Sequence, residues 1–293
     1  HYGKDHPSTG ATLADLGNAW GSLGDYEKKK DLITRALVIQ EKHYGRDHPQ
    51  TGITLDSLGN AWGQFGDYEK KKDLITRALE IKEKHYGKDH LSTGTTLADL
   101  GNAWGSLGDY EKKKDLLTRA LVIQEKHYGR DHPETAITLT NLGNAWGQLG
   151  DYVKQIDLLT RALVIHEKHY GKEHPTIGTT LGSLGDAWGS LRNYEKQKAL
   201  LTRALDIKEK YYGIDHPETA ITLTNLGNAW ASLGDYKKQK DLLTRALEIF
   251  GKHYGKNHAQ TGIIYHNLGN AWGSLGDYEK KKDFLTRALE IFE

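Results

Sequence analysis

Apolar residues recur along the chain with helical spacing. Near the start, Leu13, Leu16, Trp20 and Leu23 fall at i, i+3, i+7 and i+10, which places them on one stripe of a 3.6-residue period. The pattern predicts a helix that begins near Pro7, because proline lacks an N–H and the first helical position needs none. We expect this stripe to face the protein interior.

A second helix is predicted from about Tyr26 to His43. Its apolar side consists of Leu32, Ile33, Ala36, Leu37 and Ile39. Asp25 is placed to cap its start, and Gly45 is expected to close it in the left-handed αL conformation. The first helix is expected to have His6 at its N-cap, an unusual residue for that position.

The two-helix pattern repeats every 42 residues. Tryptophan marks the period, at Trp20, Trp62, Trp104, Trp146, Trp188, Trp230 and Trp272. Positions are therefore numbered by the first repeat, so that position 18 means Asn18 and its equivalents 42, 84 and more residues further on. Self-similarity at such a period predicts a solenoid, in which each unit covers the apolar face of its neighbour.

The predicted fold class is all-α, an α-solenoid of seven helix–turn–helix repeats of 42 residues with fourteen helices and no strand. A single array is predicted over residues 1–293. Its units lie at about 1–42, 43–84, 85–126, 127–168, 169–210, 211–252 and 253–293.

Glycine inside the first helix needs a physical reason, because it costs about 1 kcal/mol relative to alanine. Position 17 is glycine in every repeat. We expect Gly17 and Ala36 to let the two helices cross closely, with Trp20 filling the space beside them. On this interpretation the tryptophans pack against the protein and do not stack on a ligand.

Composition narrows the function classes. The chain has 40 Lys and Arg against 39 Asp and Glu, a net charge of +1. Without a basic surplus, nucleic acid and anionic membranes are not expected as partners. No apolar run approaches the roughly 20 residues that span a bilayer and no signal peptide is recognisable, so a cytoplasmic location is expected. Cysteine is absent, which excludes disulfides and thiolate metal sites.

The segments Leu142–Trp146, Gly150–Tyr152 and Arg161–Leu163 carry a family resemblance. Leu-Gly-x-Ala-aromatic, then Gly-Asp-Tyr, then Arg-Ala-Leu resembles the tetratricopeptide repeat, over the whole chain. The common repeat has about 34 residues, and the longer form here is similar to the arrays of kinesin light chains. The resemblance implies a right-handed superhelix whose first helices line a concave groove that binds peptides or proteins.

The family usually places a small alanine early in the second helix. Here that place holds a long polar side chain, at Lys29, Lys71, Lys113, Gln155, Gln197, Gln239 and Lys281. Lys29 lies on the apolar stripe, so its stem should cover apolar surface while its ammonium reaches solvent. We expect this to push the two helices apart at one end and to change the superhelical pitch.

The face of the first helix opposite the apolar stripe is the candidate ligand surface, with positions 11, 14, 18, 21 and 22. Position 18 is a ladder of amides that one aspartate interrupts: Asn18, Asn60, Asn102, Asn144, Asp186, Asn228 and Asn270. An amide both donates and accepts, so the ladder could hold a ligand backbone. Equally, each Asn could bond to a neighbouring helix and fix only the register.

Position 11 adds apolar candidates to this face, at Ile53, Ile137, Ile221 and Ile263. No Lys or Arg stands on the face, whereas chaperone-binding members of the family hold a ligand's terminal carboxylate with such residues. The resemblance therefore argues against a carboxylate clamp. Backbone hydrogen bonds and apolar contacts are expected to hold any ligand.

Three successive lysines, Lys28–Lys30, stand in the second helix and recur in three other repeats. Successive helical residues point about 100° apart, so we expect a solvated face and not one basic patch. Asp31 and Arg35 are expected to pair, since they are four residues apart. In the fifth repeat Ala199 removes that partner from Arg203, so a local distortion or a special contact is expected there.

No residue pattern indicates catalysis. Each candidate Ser or Asp has copies 42 residues away, whereas an active site is normally singular, so we expect neither an enzyme nor a cofactor. The 15 histidines lie mostly in loop pairs such as His43 and His48, five apart across a helix end. This favours a loop-capping role over metal binding, which needs converging ligands.

The sequence thus predicts a binding scaffold for an unidentified protein or peptide. The alternative is self-association into a homo-oligomer through the repeat ends, where Phe284, Ile291 and Phe292 are expected to be uncovered. On family analogy alone, such a module would serve as the sensor or oligomerisation arm of a larger signalling NTPase.

Overall fold

The computed structural model describes residues 5–255 and 257–293, which form fourteen α-helices and no strand. The first helices of the repeats are α1 (Pro7–Ser22), α3 (Pro49–Gln64), α5 (Leu91–Ser106), α7 (Pro133–Gln148), α9 (Pro175–Ser190), α11 (Pro217–Ser232) and α13 (Ala259–Ser274). The second helices are α2 (Tyr26–Tyr44), α4 (Tyr68–Tyr86), α6 (Tyr110–Tyr128), α8 (Tyr152–Tyr170), α10 (Tyr194–Tyr212), α12 (Tyr236–Tyr254) and α14 (Tyr278–Phe292).

The helices group into two compact units, His1–Leu149 with α1 to α7 and Gly150–Glu293 with α8 to α14. Within each unit every helix packs against the next one along the chain, and each first helix also touches the first helix of the next repeat. This sequential packing confirms the predicted α-solenoid class. The single array over residues 1–293 stays a prediction. Among the described residues, no helix combines the length and the apolar character needed to cross a membrane.

The two predicted N-caps are confirmed. The His6 Nδ1 accepts a hydrogen bond from the Ser8 N–H at 3.1 Å, and Asp25 accepts one from the Lys28 N–H at 3.0 Å. Gly45 differs from the expectation, because its φ of 88° is positive but its ψ of 166° is extended and not αL. The extended backbone directs the Gly45 carbonyl to the Thr51 hydroxyl at 3.0 Å, and only glycine adopts this conformation readily.

The apolar stripe is buried at positions 13 and 16 from the second repeat onward, but in the first repeat Leu13 is half-buried and Leu16 is 45% exposed. Leu55 and Leu58, at positions 13 and 16, are buried, and Leu55 packs between Leu37 of the preceding repeat and Ile81 of its own. The last stripe residue was placed wrongly: Leu23 is the C-cap of α1 and is 77% exposed. The helix ends before this residue can turn inward.

The close crossing at Gly17 is confirmed, but its partner is not Ala36. A Cβ at Gly17 would lie 2.7 Å from the Ile33 Cγ1 and 3.2 Å from the Lys29 carbonyl oxygen. The Ala36 carbonyl instead lies 3.5 Å from the corresponding Cβ site of Gly10. Gly10 and Gly17 lie about two turns apart on the same face of α1, so they bring the two helices together at two levels.

A third glycine accommodates the long side chain at position 29. A Cβ at Gly21 would lie only 2.5 Å from the Lys29 Cδ, so the lysine stem occupies the room that glycine leaves. Burial lowers the pKa of Lys29. The helices therefore need not open to admit this side chain, contrary to the expectation. Gly21 faces the second helix, which also removes position 21 from the candidate ligand face.

The glycines of α9 offer a direct test of this packing. A Cβ at Gly185 would lie 2.9 Å from the Leu201 Cγ, whereas one at Gly182 would meet nothing within 4 Å. Both alanine variants gain about 1 kcal/mol of helix propensity. We expect Gly185→Ala to be less stable than Gly182→Ala by about 1–3 kcal/mol, the usual cost of overpacking.

Urea denaturation followed by circular dichroism measures this difference, because both substitutions lie in the same helix. Equal denaturation midpoints for the two variants would contradict the role assigned to Gly185.

Candidate functional site

Positions 11, 14, 15, 18 and 22 follow one another at helical spacing and form what we call the first-helix face. At position 11 the isoleucines are solvent-exposed by 39–43%, namely Ile53, Ile137, Ile221 and Ile263. Branched aliphatic side chains are more often buried than exposed. Within each unit the face therefore presents apolar groups at its edge, as the sequence predicts.

The amide ladder runs beside these isoleucines. Asn18, Asp186, Asn228 and Asn270 are exposed, and Asn60, Asn102 and Asn144 are half-buried. The ladder does bond to neighbouring helices: Asn60 donates to Asp99 at 3.1 Å, and Asn267 donates to Asn228 at 3.2 Å. Each amide offers two N–H groups and a carbonyl, so one such bond leaves capacity for a ligand. Ligand contact at position 18 stays a prediction.

The charge of the first helices has one sign. No first helix contains Lys or Arg within the bounds given above. Carboxylates occur once in each of six of them, at Asp15, Asp56, Asp99, Glu134, Asp186 and Glu218. The first-helix face is therefore neutral to negative, which opposes an acidic ligand.

The lysines of the second helix have specific partners, although the Lys28 side chain remains 54% exposed to solvent as expected. The Lys28 Nζ lies 3.8 Å from the Trp20 ring centroid, and Lys30 pairs with Glu27 at 2.7 Å. Lys30 also reaches the next repeat, where its Nζ lies 5.2 Å from the Trp62 ring. The Trp62 indole is thus contacted by lysines from two repeats, since the Lys70 Nζ lies 4.0 Å from the same ring.

The arginine at position 35 bonds across the repeat boundary. Arg77 pairs with Glu41 of the preceding repeat at 2.6 Å, and its second terminal nitrogen donates to the Arg46 carbonyl at 2.9 Å. The arginine at position 35 therefore pairs with the preceding repeat and not with position 31 of its own helix, as was expected for Arg35 and Asp31. An i, i+4 rule misses the contact because it considers a single helix.

The fifth repeat keeps this contact, which corrects a second expectation. Arg203 pairs with Glu167 at 2.5 Å, so Ala199 does not remove its partner. The backbone is distinctive nonetheless: Arg192 holds a φ of 59° where the other repeats have glycine, and Asn193 caps α10 by accepting from the Lys196 N–H at 3.2 Å.

The histidine pairs serve the loops. His48 caps α3 through its Nδ1, and its ring stacks on Tyr44 with centroids 4.6 Å apart. His127, at position 43, has its Nε2 2.8 Å from the Asp89 carbonyl oxygen of the preceding loop. Over residues 5–255 and 257–293, no three histidine or carboxylate side chains are grouped so that they could hold a metal ion.

Sequence reasoning missed a variable position that is buried in the first six repeats and exposed in the seventh. Position 40 holds Gln40, Lys82, Gln124, His166, Lys208, Phe250 and Phe292. Lys82 is 5% exposed and bonds to Asp56 and to Thr96 of the next repeat, and Lys208 pairs with Glu218 at 2.8 Å. The signal was available: this position changes chemical class between repeats while its neighbours at 39 and 41 change little.

His166 is the titratable group at position 40 whose two ring nitrogens have no hydrogen-bond partner among the described residues. The residue is 1% exposed. Burial lowers its pKa, and the charge of nearby His174 lowers it further. The folded protein therefore favours the neutral imidazole.

The predicted self-association residues lie on α14 with different exposures. Phe284 is half-buried and packs against the core, its ring 5.9 Å from that of Tyr265. Ile291 is also half-buried, and Phe292 is 54% exposed. Self-association through these residues stays a prediction.

His166→Gln tests the titration of this position, since glutamine already occupies it in two repeats. The pKa of histidine in the unfolded chain is about 6.5. The pKa of folded His166 is lower, so the unfolded chain binds more protons as the pH falls. Neutral His166 therefore contributes fully to the free energy of unfolding above about pH 6.5. This contribution is lost as the pH falls through the folded pKa. We expect the urea midpoint to fall less between pH 7 and pH 5 in the variant than in the wild type.

The matched control is His266→Gln, the same change at an exposed site. If His166→Gln kept the full pH dependence of the wild type, the buried imidazole would not be its source.

Comparison with known proteins agrees with this architecture. Models described as tetratricopeptide repeat match residues 9–50, 51–92, 93–134, 135–176, 190–252 and 231–293, well over half of the chain. No curated protein matches the sequence.

Solved structures resemble the chain in fold. A putative kinesin light chain from Podosopora anserina with nearly identical TPR-like repeats has a TM-score of 0.60 at 22% identity, over 71% of this chain and 98% of that one. The apo form of RapI has a TM-score of 0.74 at 14% identity, over 97% of both chains. A signal transduction ATPase from Pyrococcus horikoshii with a tetratricopeptide repeat sensor has a TM-score of 0.72 at 16% identity, over 99% of this chain and 42% of that one.

These family matches, the 42-residue repeats and the sequential packing of paired helices lead to one conclusion: the chain belongs to the tetratricopeptide repeat family.

Proposed function

We propose that this chain is a non-enzymatic scaffold that binds a protein or peptide on its first-helix face. The exposed isoleucines at position 11, which stand beside the amides at position 18, carry the proposal. Apolar side chains give a ligand area to bury, and amides give it hydrogen bonds, which is the combination that peptide-recognition surfaces use.

The face suits a ligand held through its backbone. Asn and Gln side chains can donate and accept at once, so a row of them pairs with peptide groups whatever the ligand's side chains are. The absence of Lys and Arg from the first helices argues against a terminal carboxylate or an acidic segment as the recognised feature.

The test begins with a displayed library of random peptides selected on the intact chain, followed by fluorescence anisotropy with the peptides obtained. We expect the double variant Asn102→Ala and Asn144→Ala to weaken binding about tenfold, because two hydrogen bonds are lost at about 0.5–1.5 kcal/mol each. Ile137→Asp should weaken it by at least as much, because it places a charge where apolar area is buried.

Val122→Thr is the control, since Val122 is 63% exposed on the second helix α6 and the change preserves shape. Binding that survives the face variants, or falls equally with Val122→Thr, would overturn the proposal, as would a selection that yields no specific peptide.

Self-association is the second candidate. Phe292 and Leu289 on α14 are 54% and 55% exposed, and exposed apolar side chains of this size favour association with a second copy. A sensor or oligomerisation arm in a larger signalling NTPase would be consistent with this role, since a relative of similar fold is described as a sensor-bearing ATPase. The cytoplasmic location stays a prediction.

Sedimentation velocity over a range of protein concentrations checks this second function. We expect the sedimentation coefficient to rise with concentration and the rise to disappear in Phe292→Asp. A monomer at every concentration would remove the hypothesis.

A further inference from the structure

The fifth repeat leaves an opening in the first-helix face. Position 14 holds Ala, Asp, Thr or His in the other repeats but glycine at Gly182. A Cβ at Gly182 would meet no atom within 4 Å, unlike the glycines of the helix crossings. The glycine is therefore not required for packing, although it costs helix stability.

One turn further along α9, the face carries an unmatched carboxylate. Asp186 stands where six repeats have asparagine, and it is solvent-exposed. Asn225 of α11 donates its Nδ2–H to both carboxylate oxygens, at 3.3 and 3.4 Å, which are long bonds. No cationic group of the described residues forms an ion pair with Asp186.

The lysine whose charge acts on this carboxylate, Lys208, is already paired. In the second repeat Lys82 at position 40 bonds to Asp56 at position 14. In the fifth repeat position 14 is the glycine, and the equivalent Lys208 pairs with Glu218 at 2.8 Å. Together Lys208, Glu218 and Asp186 leave one uncompensated negative charge.

Although Asp186 reaches solvent, protein atoms crowd around its carboxylate and disfavour the charge. Burial by neighbouring protein atoms raises the pKa of Asp186 to about 6, although Lys208 acts in the opposite direction. A carboxylate in such a place gains more from a cation than one fully surrounded by water. The adjacent open space at Gly182 gives a cation access to it.

We propose that Gly182, Asp186 and Asn225 form a subsite for the ammonium or guanidinium group of a lysine or arginine side chain. Asp186 would accept the charged hydrogen bonds, a guanidinium being able to make two at once. The stem of the ligand side chain would pass through the space at Gly182. Ile221, 39% exposed and one turn before Asn225 on the same face of α11, would contact its methylenes.

This subsite rests on the proposed function, because it would select a basic residue in the peptide held on the first-helix face. It also supplies the recognition element that the repeated amides lack: the ladder is nearly uniform, so it cannot fix where a ligand sits along the array. A single carboxylate that occurs in one repeat can fix that position.

The experiment uses two small probes in which the terminal amine is blocked, N-acetyl-arginine methylamide and its neutral counterpart N-acetyl-citrulline methylamide. Each is titrated into the intact isotope-labelled chain, and amide chemical shifts are followed by NMR. We expect the arginine probe to shift the signals of Gly182, Asp186 and Asn225 saturably, and the citrulline probe to bind at least about fivefold more weakly, because a hydrogen bond to a charged group is worth more than a neutral one.

Three variants locate the effect. Asp186→Asn restores the residue of the other repeats, and Gly182→Thr restores the residue found at position 14 in the fourth and sixth. Both should weaken arginine binding at least about fivefold, the first by removing the charge and the second by filling the space. Asp206→Asn removes the same charge from an exposed site on α10 and should change the affinity less than twofold.

Equal binding of arginine and citrulline, shifts elsewhere in the chain, or an Asp186→Asn variant that binds as well as the wild type would each overturn the subsite. The outcome is separate from that of the peptide selection. Peptides that bind without any dependence on Asp186 would leave the proposed function standing and remove the subsite. Arginine binding at Asp186 without any selected peptide would leave the subsite standing and remove the proposed function.

Discussion

Each repeat must fit a near copy of itself, and the rest of the structure depends on this constraint. One end of the unit has to complement the other, so the residues that meet at the boundary stay nearly fixed. Arg77 pairs with Glu41 and Lys84 pairs with Asp47, and Arg119 with Glu83 repeats the first of these contacts one unit later. Exposed ion pairs stabilise by about 1 kcal/mol or less each. Because the same pairs recur at each boundary, they fix the register between repeats more than they add to the free energy of unfolding.

Variation between polar residues in the interior is answered locally at position 40. Position 40 lies in the interior and still changes, because position 14 or the next repeat supplies a partner, as Asp56 does for Lys82 and Glu218 for Lys208. His166 has no such partner and is neutral instead. At position 40, the buried polar groups thus mark where the repeats differ, and each is either paired or neutral.

Features set by one helix or one hairpin could be predicted from the sequence. The helix bounds, the His and Asp caps and the close approach at Gly17 follow from spacing and backbone chemistry. The contacts of Lys30 and Arg77 could not be predicted this way, because each reaches a different repeat. The room beside Gly21 was missed for a similar reason: it becomes apparent only when the side chain of Lys29 is placed across from it. The candidate face of the sequence analysis included position 21, which faces the second helix, and omitted position 15, which carries Asn225 and Asn267.

The near-zero net charge of the chain conceals a separation that bears on recognition. Every Lys and Arg of the described helices lies in a second helix, and the first helices carry only acidic or neutral groups. Several of these cations contact tryptophans or carboxylates, as Lys28 and Arg77 do. A ligand on the first-helix face therefore meets amides, isoleucines and a few carboxylates, but no cation of the first helices themselves. Like-charge contact costs more than an unsatisfied neutral contact. Under the proposed function, the face would discriminate first against acidic partners, and among the position 18 residues only Asp186 has the charge to favour a basic one.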